Sequence, residues 1–455
     1  MLHDLATVAT QELQYQADPL PLLGRLRALG RPVLLHSADP DHPGSRFDIL
    51  SAAPRAWAET RGGQTLVSTA AGPQLLTEDP FAALAFLTED MPARPLTDAP
   101  FCGGLIGMLG YDLARQLEPW SLRKVPANSF PDMVAGRYEW AIISDHQRRT
   151  TYLIELYDGA LPSHLRAQIK QLAPAAANSQ TIELPTLRCE TSHADYASAF
   201  ARVQDYIHAG DCYQVNLSVR FSGPCRADPL ALYRRLVQAH PAPFCGYLEV
   251  PEGALLSLSP ERFLRIAGAD VETCPIKGTR PRGRTAAEDA ALRADLLASS
   301  KDQAENLMIV DLLRNDLGRS CLPGSIQVPE LCQVESFGSV HHLVSKVAGT
   351  LRPDVSPLTA LQHCFPGGSI TGAPKIRAMQ IIDELEPHFR GPYCGSLFMA
   401  DASGRLDSSI TIRTLLYHRQ QLYCWGGGGL VADSSADDEW AEIHHKVGAL
   451  IGARP

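Results

Sequence analysis

The sequence has no Cys-x-x-Cys pair. Its eleven cysteines are irregularly spaced, so neither a zinc site nor a dithiol redox motif is written in it, and the odd count argues against a complete set of internal disulfides. A reducing, cytosolic setting is the simpler reading. No stretch approaches the ~20 apolar residues that span a bilayer. Residues Met1 to Tyr15 lack the basic start and apolar run of a signal peptide, so a soluble, cytoplasmic protein with no membrane partner is expected. Lysine and arginine form no block and the net charge is −9, which disfavours nucleic acid, a partner that demands a basic stripe. Internal repeats and low-complexity tracts are also missing.

What is present suits a large soluble fold. At 45% hydrophobic and 20% charged, the chain can bury an extensive core. Its 455 residues permit about three domains or one large α+β unit. Residues 1–170 read as mixed α/β with short strands, among them Pro32–Ser37 and Met133–Ile143. Leu172–Thr186 is aperiodic and reads as a linker or edge loop. Beyond it, Tyr196, Phe200, Val203 and Ile207 mark a helix over Ala194–His208, stopped by Gly210. Tyr213–Val219 alternates as a strand does. A second helix begins at Ser300, with Ser300-x-x-Gln303 as its capping box, and runs to about Asp316. After Pro387 come strands near Gly395–Ala400, Ser408–Leu416 and Leu422–Trp425, read as an antiparallel meander. A final helix follows Ser435, with Trp440, Ile443, Val447 and Leu450 on one stripe.

The stretch Cys274–Pro275–Ile276–Lys277–Gly278–Thr279–Arg280–Pro281–Arg282–Gly283 holds a lysine between Pro275 and a Gly278/Pro281 turn signal, so its side chain has a set direction. Arg280 and Arg282 would favour its neutral, nucleophilic form if all three shared a pocket. A basic surface loop is the competing reading. Glu261, in Ser257–Phe263, is an ordinary turn acid alone and a candidate general acid beside a nucleophile.

In the final helix, Glu439, Glu442 and Lys446 project from nearly one face. They form either a solvated ion pair or part of a site for a hard cation. The preceding Gly426–Gly427–Gly428–Gly429 run would expose successive backbone N–H groups to an anionic ligand. Glu305 is either a helix-start acid or a further magnesium carboxylate. Pro366–Lys375 is a glycine-rich turn entering a helix with Pro374 near its first position, able to hold a ligand through backbone amides and Ser369 Oγ. It lacks the Walker spacing, so ATP is not indicated. Arg413, placed in the strand Thr411–Thr414, needs an anion to offset its desolvation. His342 either donates a hydrogen bond or simply packs.

Taken together, SPERF, PIKGTRPRG, AENLMIVDLLRND, VHHLVS, PGGSITGAPK, SITIRT and GGGGLVADS, followed by the Glu439/Glu442/Lys446 helix, resemble the chorismate-utilising enzymes in content and order. Within that group Lys277 is similar to the lysine of the aminodeoxychorismate synthases, where anthranilate synthases carry alanine. The resemblance implies an α+β fold of two large antiparallel-rich sheets packed face to face with helices outside. In it, residues 1–170 form an N-terminal portion with a tryptophan pocket, and 187–455 an intertwined chorismate-binding catalytic portion. It implies conversion of chorismate and ammonia to 4-amino-4-deoxychorismate, with ammonia supplied free or by a separate glutamine amidotransferase subunit. Glu305, Glu439 and Glu442 would hold Mg²⁺. Ser369, His342, Tyr393, Arg413, Gly427, Gly429 and Lys446 would take the substrate, and Lys277 and Glu261 would be catalytic. Ser37, Gly44, Ser45, Arg46, Phe47, Pro243, Phe244 and Cys245 would bind tryptophan. The alternatives are an anthranilate synthase, an isochorismate or salicylate synthase, for which Lys277 would be unnecessary, and a regulatory subunit without catalysis.

Overall fold

The computed structural model describes residues 9–40, 42, 44–76, 79–118, 129–170, 182–336 and 340–451. Two 12-stranded antiparallel sheets dominate it. The first runs from Ala9–Leu13 through Val33–His36, Phe244–Val250, Gly253–Ser259, Thr414–His418, Gln421–Leu430 and Gln214–Pro224 to Arg188–Cys189. The second runs from Ile276–Pro281 through Val340–Thr350, Asp270–Thr273, Arg262–Ala267, Leu406–Ile410, Ser396–Asp401 and Gly104–Leu109 to Gly72–Leu76. Each sheet draws strands from both sides of residues 171–181, which lie outside the described residues together with most of the stretch expected to be a linker.

The sheets meet face to face around one apolar core. Their approach is close enough that a Cβ at Gly246 in the first sheet would fall 2.2 Å from Leu397 Cδ2 in the second. Helices cover the outside, burying narrow stripes: Tyr196, Phe200 and Val203 from His193–His208, and Leu296 from Ala286–Ala298. Side-chain caps fix their starts. The helix Ser300–Gly318 is capped by Ser299, whose side chain accepts from the Asp302 N–H, not by the expected Ser300-x-x-Gln303 box. Pro374, expected near the first position of the following helix, is the N-cap of Lys375–Leu385.

The expected C-terminal meander is divided between the sheets. Ser396–Asp401 and Leu406–Ile410 belong to the second, Thr414–His418 and Gln421–Leu430 to the first. Alternation marks a strand but not which of two sheets it joins. The same division separates Met133–Tyr138 from Trp140–Asp145. Two of these passages run side by side. Gly253–Ser259 continues as Arg262–Ala267, and its neighbour Leu406–Ile410 continues as Thr414–His418, each changing sheet. Glu261 and Arg413 lie in the two joints, which are tied by Ile410 N–H to Glu261 O at 3.1 Å and Leu258 N–H to Arg413 O at 3.1 Å.

Candidate active site

That double seam is where the sequence motifs converge. Lys277 stands on Ile276–Pro281, whose pairing with Val340–Thr350 slips between Lys277 and Thr279. The slip is a bulge at Gly278, a residue with φ +69°. A Cβ there would crowd Leu296 at 2.8 Å and Asp302 at 2.9 Å, so glycine is required both for the left-handed backbone and for close packing against two helices. The bulge directs the lysine inward, where Nζ donates to the Ser369 carbonyl at 3.2 Å. Burial pushes its pKa down, opposed by the charges of Glu305 and Glu261 and assisted by Lys446. The nearby arginines do not take part. Arg280 pairs with Asp295 and Asp302, and Arg282 with Asp289. Acidic partners on the following helices draw them away, so desolvation and not arginine repulsion favours the neutral amine.

Glu261 is buried. Its Oε1 accepts from Ser369 Oγ at 3.0 Å. Burial raises its pKa to about 7, against the lowering effects of Lys277, of Ser369 and of the Ile276 N–H. One residue, Ser369, thus touches both candidate catalytic groups, through its carbonyl and its hydroxyl. Its short helical turn Gly368–Ile370 packs so closely on Ser300–Gly318 that a Cβ at Gly368 would meet Leu312 at 2.6 Å.

The three carboxylates come from two helices. Asn306 anchors the first by accepting from Ser345 Oγ at 2.5 Å and donating to Leu343 O at 3.4 Å, which sets Glu305 beside Lys277. On Ala436–Ile451, Glu439 is buried and accepts from Ser434 Oγ at 2.8 Å, whereas Glu442 pairs with Lys446 at 2.5 Å. Burial raises the carboxyls of Glu305 and Glu439, and the charge of Glu442 raises both further. Burial works against the charge of Glu442 too, but Lys446 and then Lys301 and Lys277 outweigh it. Among the described residues no group of three His, Cys, Asp or Glu is drawn together tightly enough to enclose a metal ion. The ion-pair reading of the helix is present as Glu442–Lys446, and Glu442 lies within electrostatic reach of both Glu305 and Glu439.

Arg413 sits in the sheet-to-sheet joint, with φ +48°, and not within a strand as expected. Its side chain is accessible to solvent, yet surrounding protein lowers its pKa through burial. The two facts agree if the guanidinium faces an internal cleft, which exposes the side chain while stripping away bulk water. His342 is buried, bonded through Nδ1 to Thr279 Oγ1 at 2.9 Å, and held neutral, with a pKa of about 4, by burial and then by Arg413. Tyr393 is buried and lies parallel to Trp425, with ring centroids 6.2 Å apart.

The glycine run is not a string of successive free N–H groups. It lies in Gln421–Leu430, paired along its length with Gln214–Pro224, so only alternate peptides turn toward the other edge. That edge is open from Trp425 onward, because the neighbouring strand begins at Thr414 and reaches only Cys424. Lys446 Nζ donates to Gly427 O at 3.4 Å there, and Gly429, two residues on, turns its peptide the same way. Gly426 and Gly428 serve packing: a Cβ would meet Val447 at 2.5 Å and Glu439 at 2.3 Å respectively.

The residues expected to hold tryptophan are also adjacent. Ser37, Gly44, Ser45 and Arg46 lie between Val33–His36 and Phe47–Ser51, Phe47 begins the latter, and Cys245 is paired with His36. Ser37 Oγ donates to Phe47 O at 2.7 Å. Arg46 pairs with Asp145 at 2.6 Å. The His42 ring stands edge-on to Phe244 at 5.8 Å. Ser45 Oγ is buried with no hydrogen-bond partner among the described residues.

Sequence reading missed the supports of this site. Ser434, Asn306, Thr279 and Lys301 orient or balance its charged groups, and only Ser434, in a polar run before a helix, carried a visible capping signal.

This chain belongs to the family of chorismate binding enzymes, which it matches over residues 33–452. It is 45% identical over 428 residues to aminodeoxychorismate synthase component 1 of Klebsiella aerogenes, covering 92% of each chain. To the Escherichia coli protein of that name it is 44% identical, covering 94% of each. The structure of anthranilate synthase component I from Streptococcus pneumoniae superposes with a TM-score of 0.80 at 32% identity, covering 90% of this chain and 93% of that one.

Proposed function

We propose that the protein converts chorismate and ammonia to 4-amino-4-deoxychorismate, the step toward 4-aminobenzoate and folate. The observation that carries this reading is an amine, Lys277, desolvated beside a buried acid, Glu261, with Ser369 bonded to both. Direct addition of ammonia followed by elimination would not need such an amine, because ammonia is already a neutral nucleophile. Incubating the protein with chorismate, ammonium and magnesium tests it. Chorismate should disappear, and 4-aminobenzoate should form only after a lyase is added. Fluorescent anthranilate without a lyase would favour the rival reading.

The mechanism follows from leaving-group chemistry. Hydroxide leaves poorly, so the C4 hydroxyl needs a proton, and Glu261 remains protonated up to about pH 7. Neutral Lys277 Nζ forms a bond to C2, the ring double bonds shift, and the C4–O bond breaks to release water. The substituted nitrogen gives its extra proton to the Glu261 carboxylate. Ammonia then bonds to C4, the double bonds shift back, and the C2–N bond breaks as Glu261 returns the proton to lysine. The new C4 ammonium finally passes a proton to Glu261, which restores the acid. One amine serves as nucleophile and leaving group, splitting a difficult displacement into two.

Chorismate is a dianion, and this acidic protein meets it with local positive charge. Arg413 and Lys446, with His342, Tyr393, Gly427 and Gly429, are proposed to hold it. Glu305, Glu439 and Glu442 suit magnesium because their mutual repulsion is relieved by a hard cation. Magnesium keeps several waters and needs no closed protein cage. Bound there, it would neutralise a substrate carboxylate. We further propose that ammonia comes from a separate glutamine amidotransferase subunit, which fits the "component 1" name of the relatives. The loop around Ser45 is proposed to take tryptophan, whose polar end would satisfy the unpartnered Ser45 Oγ.

A further inference from the structure

Arg390 is the largest side chain among those fully buried in the described residues, at 1% exposure. A guanidinium cannot shed its charge, so its burial demands a complete set of acceptors. Nε and Nη2 donate to Glu386 at 2.9 and 2.7 Å, Nη1 to Ile370 O at 3.1 Å, and Nη2 also to Asn216 O at 2.7 Å. The rings of Tyr111 and Tyr393 lie against it, at 4.6 and 5.8 Å. Glu386 in turn accepts from the N–H and the hydroxyl of Ser218, each at 2.8 Å. The ion pair therefore fastens together three parts of the site that are remote in sequence. These are the turn carrying Ser369, the strand paired with Gly427 and Gly429, and the Tyr393 ring.

The connection to the chemistry is short. Ile370 follows Ser369, whose carbonyl accepts from Lys277 and whose hydroxyl donates to Glu261. Thr371 Oγ1 bonds to Gly367 O and Gly368 O within the same turn, so the turn is stiff in itself and depends on outside contacts for its placement. At the far end of the segment, Lys375 Nζ bonds to Asp316 at 2.6 Å and to Cys364 O at 3.0 Å. That contact fixes where the turn begins. Among the described residues, Arg390 is the group that donates to the carbonyl immediately beyond Ser369.

We infer that Arg390, paired with Glu386, is a positioning residue for catalysis: by gripping the Ile370 carbonyl it holds Ser369 against both Lys277 and Glu261. It touches no reacting atom. A shorter or differently shaped cation fills the cavity but cannot fork to Ile370, Asn216 and Glu386 together. Displacement of the turn by even about 1 Å can cost up to about 100-fold in rate.

This inference rests on the reading of Glu261 as proton donor, and the test separates the two. Ser369→Ala removes a hydrogen bond that favours the Glu261 carboxylate, so the acid stays protonated to higher pH. The high-pH fall in kcat should move upward. Failure of S369A to move it would refute the proton-donor assignment. With that established, Arg390→Lys should lower kcat about tenfold or more and move the same limb upward. R390K with S369A should move it no further than S369A alone. A limb unchanged in R390K, or shifts that add, would overturn the inference, because a merely structural role lowers the melting temperature and active fraction without touching a pH profile. Glu386→Asp provides a second test if R390K does not fold. It keeps the charge pair, withdraws the carboxylate by one methylene, and should reproduce the same shift.

Discussion

Lys277 Nζ donates to the main-chain oxygen of Ser369 at 3.2 Å, and this contact gives the amine both a direction and a reason to stay. A carbonyl accepts from both an amine and an ammonium, more strongly from the ammonium, so it holds the nitrogen in either state, while burial pushes the lysine pKa down toward the neutral form. Lys277→Met should abolish turnover, by about 100-fold or more, and leave chorismate binding largely intact. Equilibrium binding of chorismate beside steady-state rates checks both halves.

The pH profile should fall on its alkaline side. Lys277 must lose its proton, which the burial-lowered lysine pKa favours, and Glu261 must keep its own, so activity is limited at high pH by Glu261 ionising near pH 7. Glu261→Gln should lose most activity and the falling limb with it.

Glu261 also predicts a stability effect. Its pKa in the folded state, about 7, exceeds the ordinary 4.5, so the folded state binds its proton more tightly. That contribution is complete below about pH 4.5 and is lost as pH rises through about 7, by about 3 kcal/mol. Glu261→Gln carries no such loss, so its denaturant midpoint should gain on wild type between pH 5 and 8. Parallel curves across that range would contradict the buried-acid description.

The acids make a ligand-removal prediction. Magnesium should raise the melting temperature of wild type by cancelling repulsion among Glu305, Glu439 and Glu442. Glu439→Gln should flatten that response and raise the magnesium concentration needed for activity. Differential scanning fluorimetry against magnesium, with calcium as a comparison, reads it directly.

Much of this site was legible in the sequence because its residues lie in short motifs whose local backbone is dictated by glycine and proline. Lys277, Glu261 and Ser369 are examples. What stayed hidden depends on pairings between distant segments. Nothing in Arg280 and Arg282 announces that Asp295, Asp302 and Asp289 will draw them outward. Nothing in Ser408–Leu416 announces that the chain changes sheets at Arg413, since both sheets accept the same alternation. Arg390 and Glu386 were invisible for the same reason: besides each other, Arg390 donates to backbone carbonyls and Glu386 accepts from a serine N–H and hydroxyl on a distant strand, groups that no motif singles out.

The N-terminal loop offers an independent check. Protein denatured by heat should release tryptophan, detected by mass spectrometry, and Ser45→Ala should release less. Equal amounts from both would place the ligand elsewhere.

The most direct test withholds ammonia. The enzyme is mixed with chorismate and magnesium, quenched in acid, and weighed intact, and the modified peptide is then sequenced by fragmentation. The mechanism predicts a mass gain equal to chorismate minus one water, on Lys277 and lost in Lys277→Met. No adduct under conditions that support turnover with ammonia, or an adduct on another residue, would contradict it.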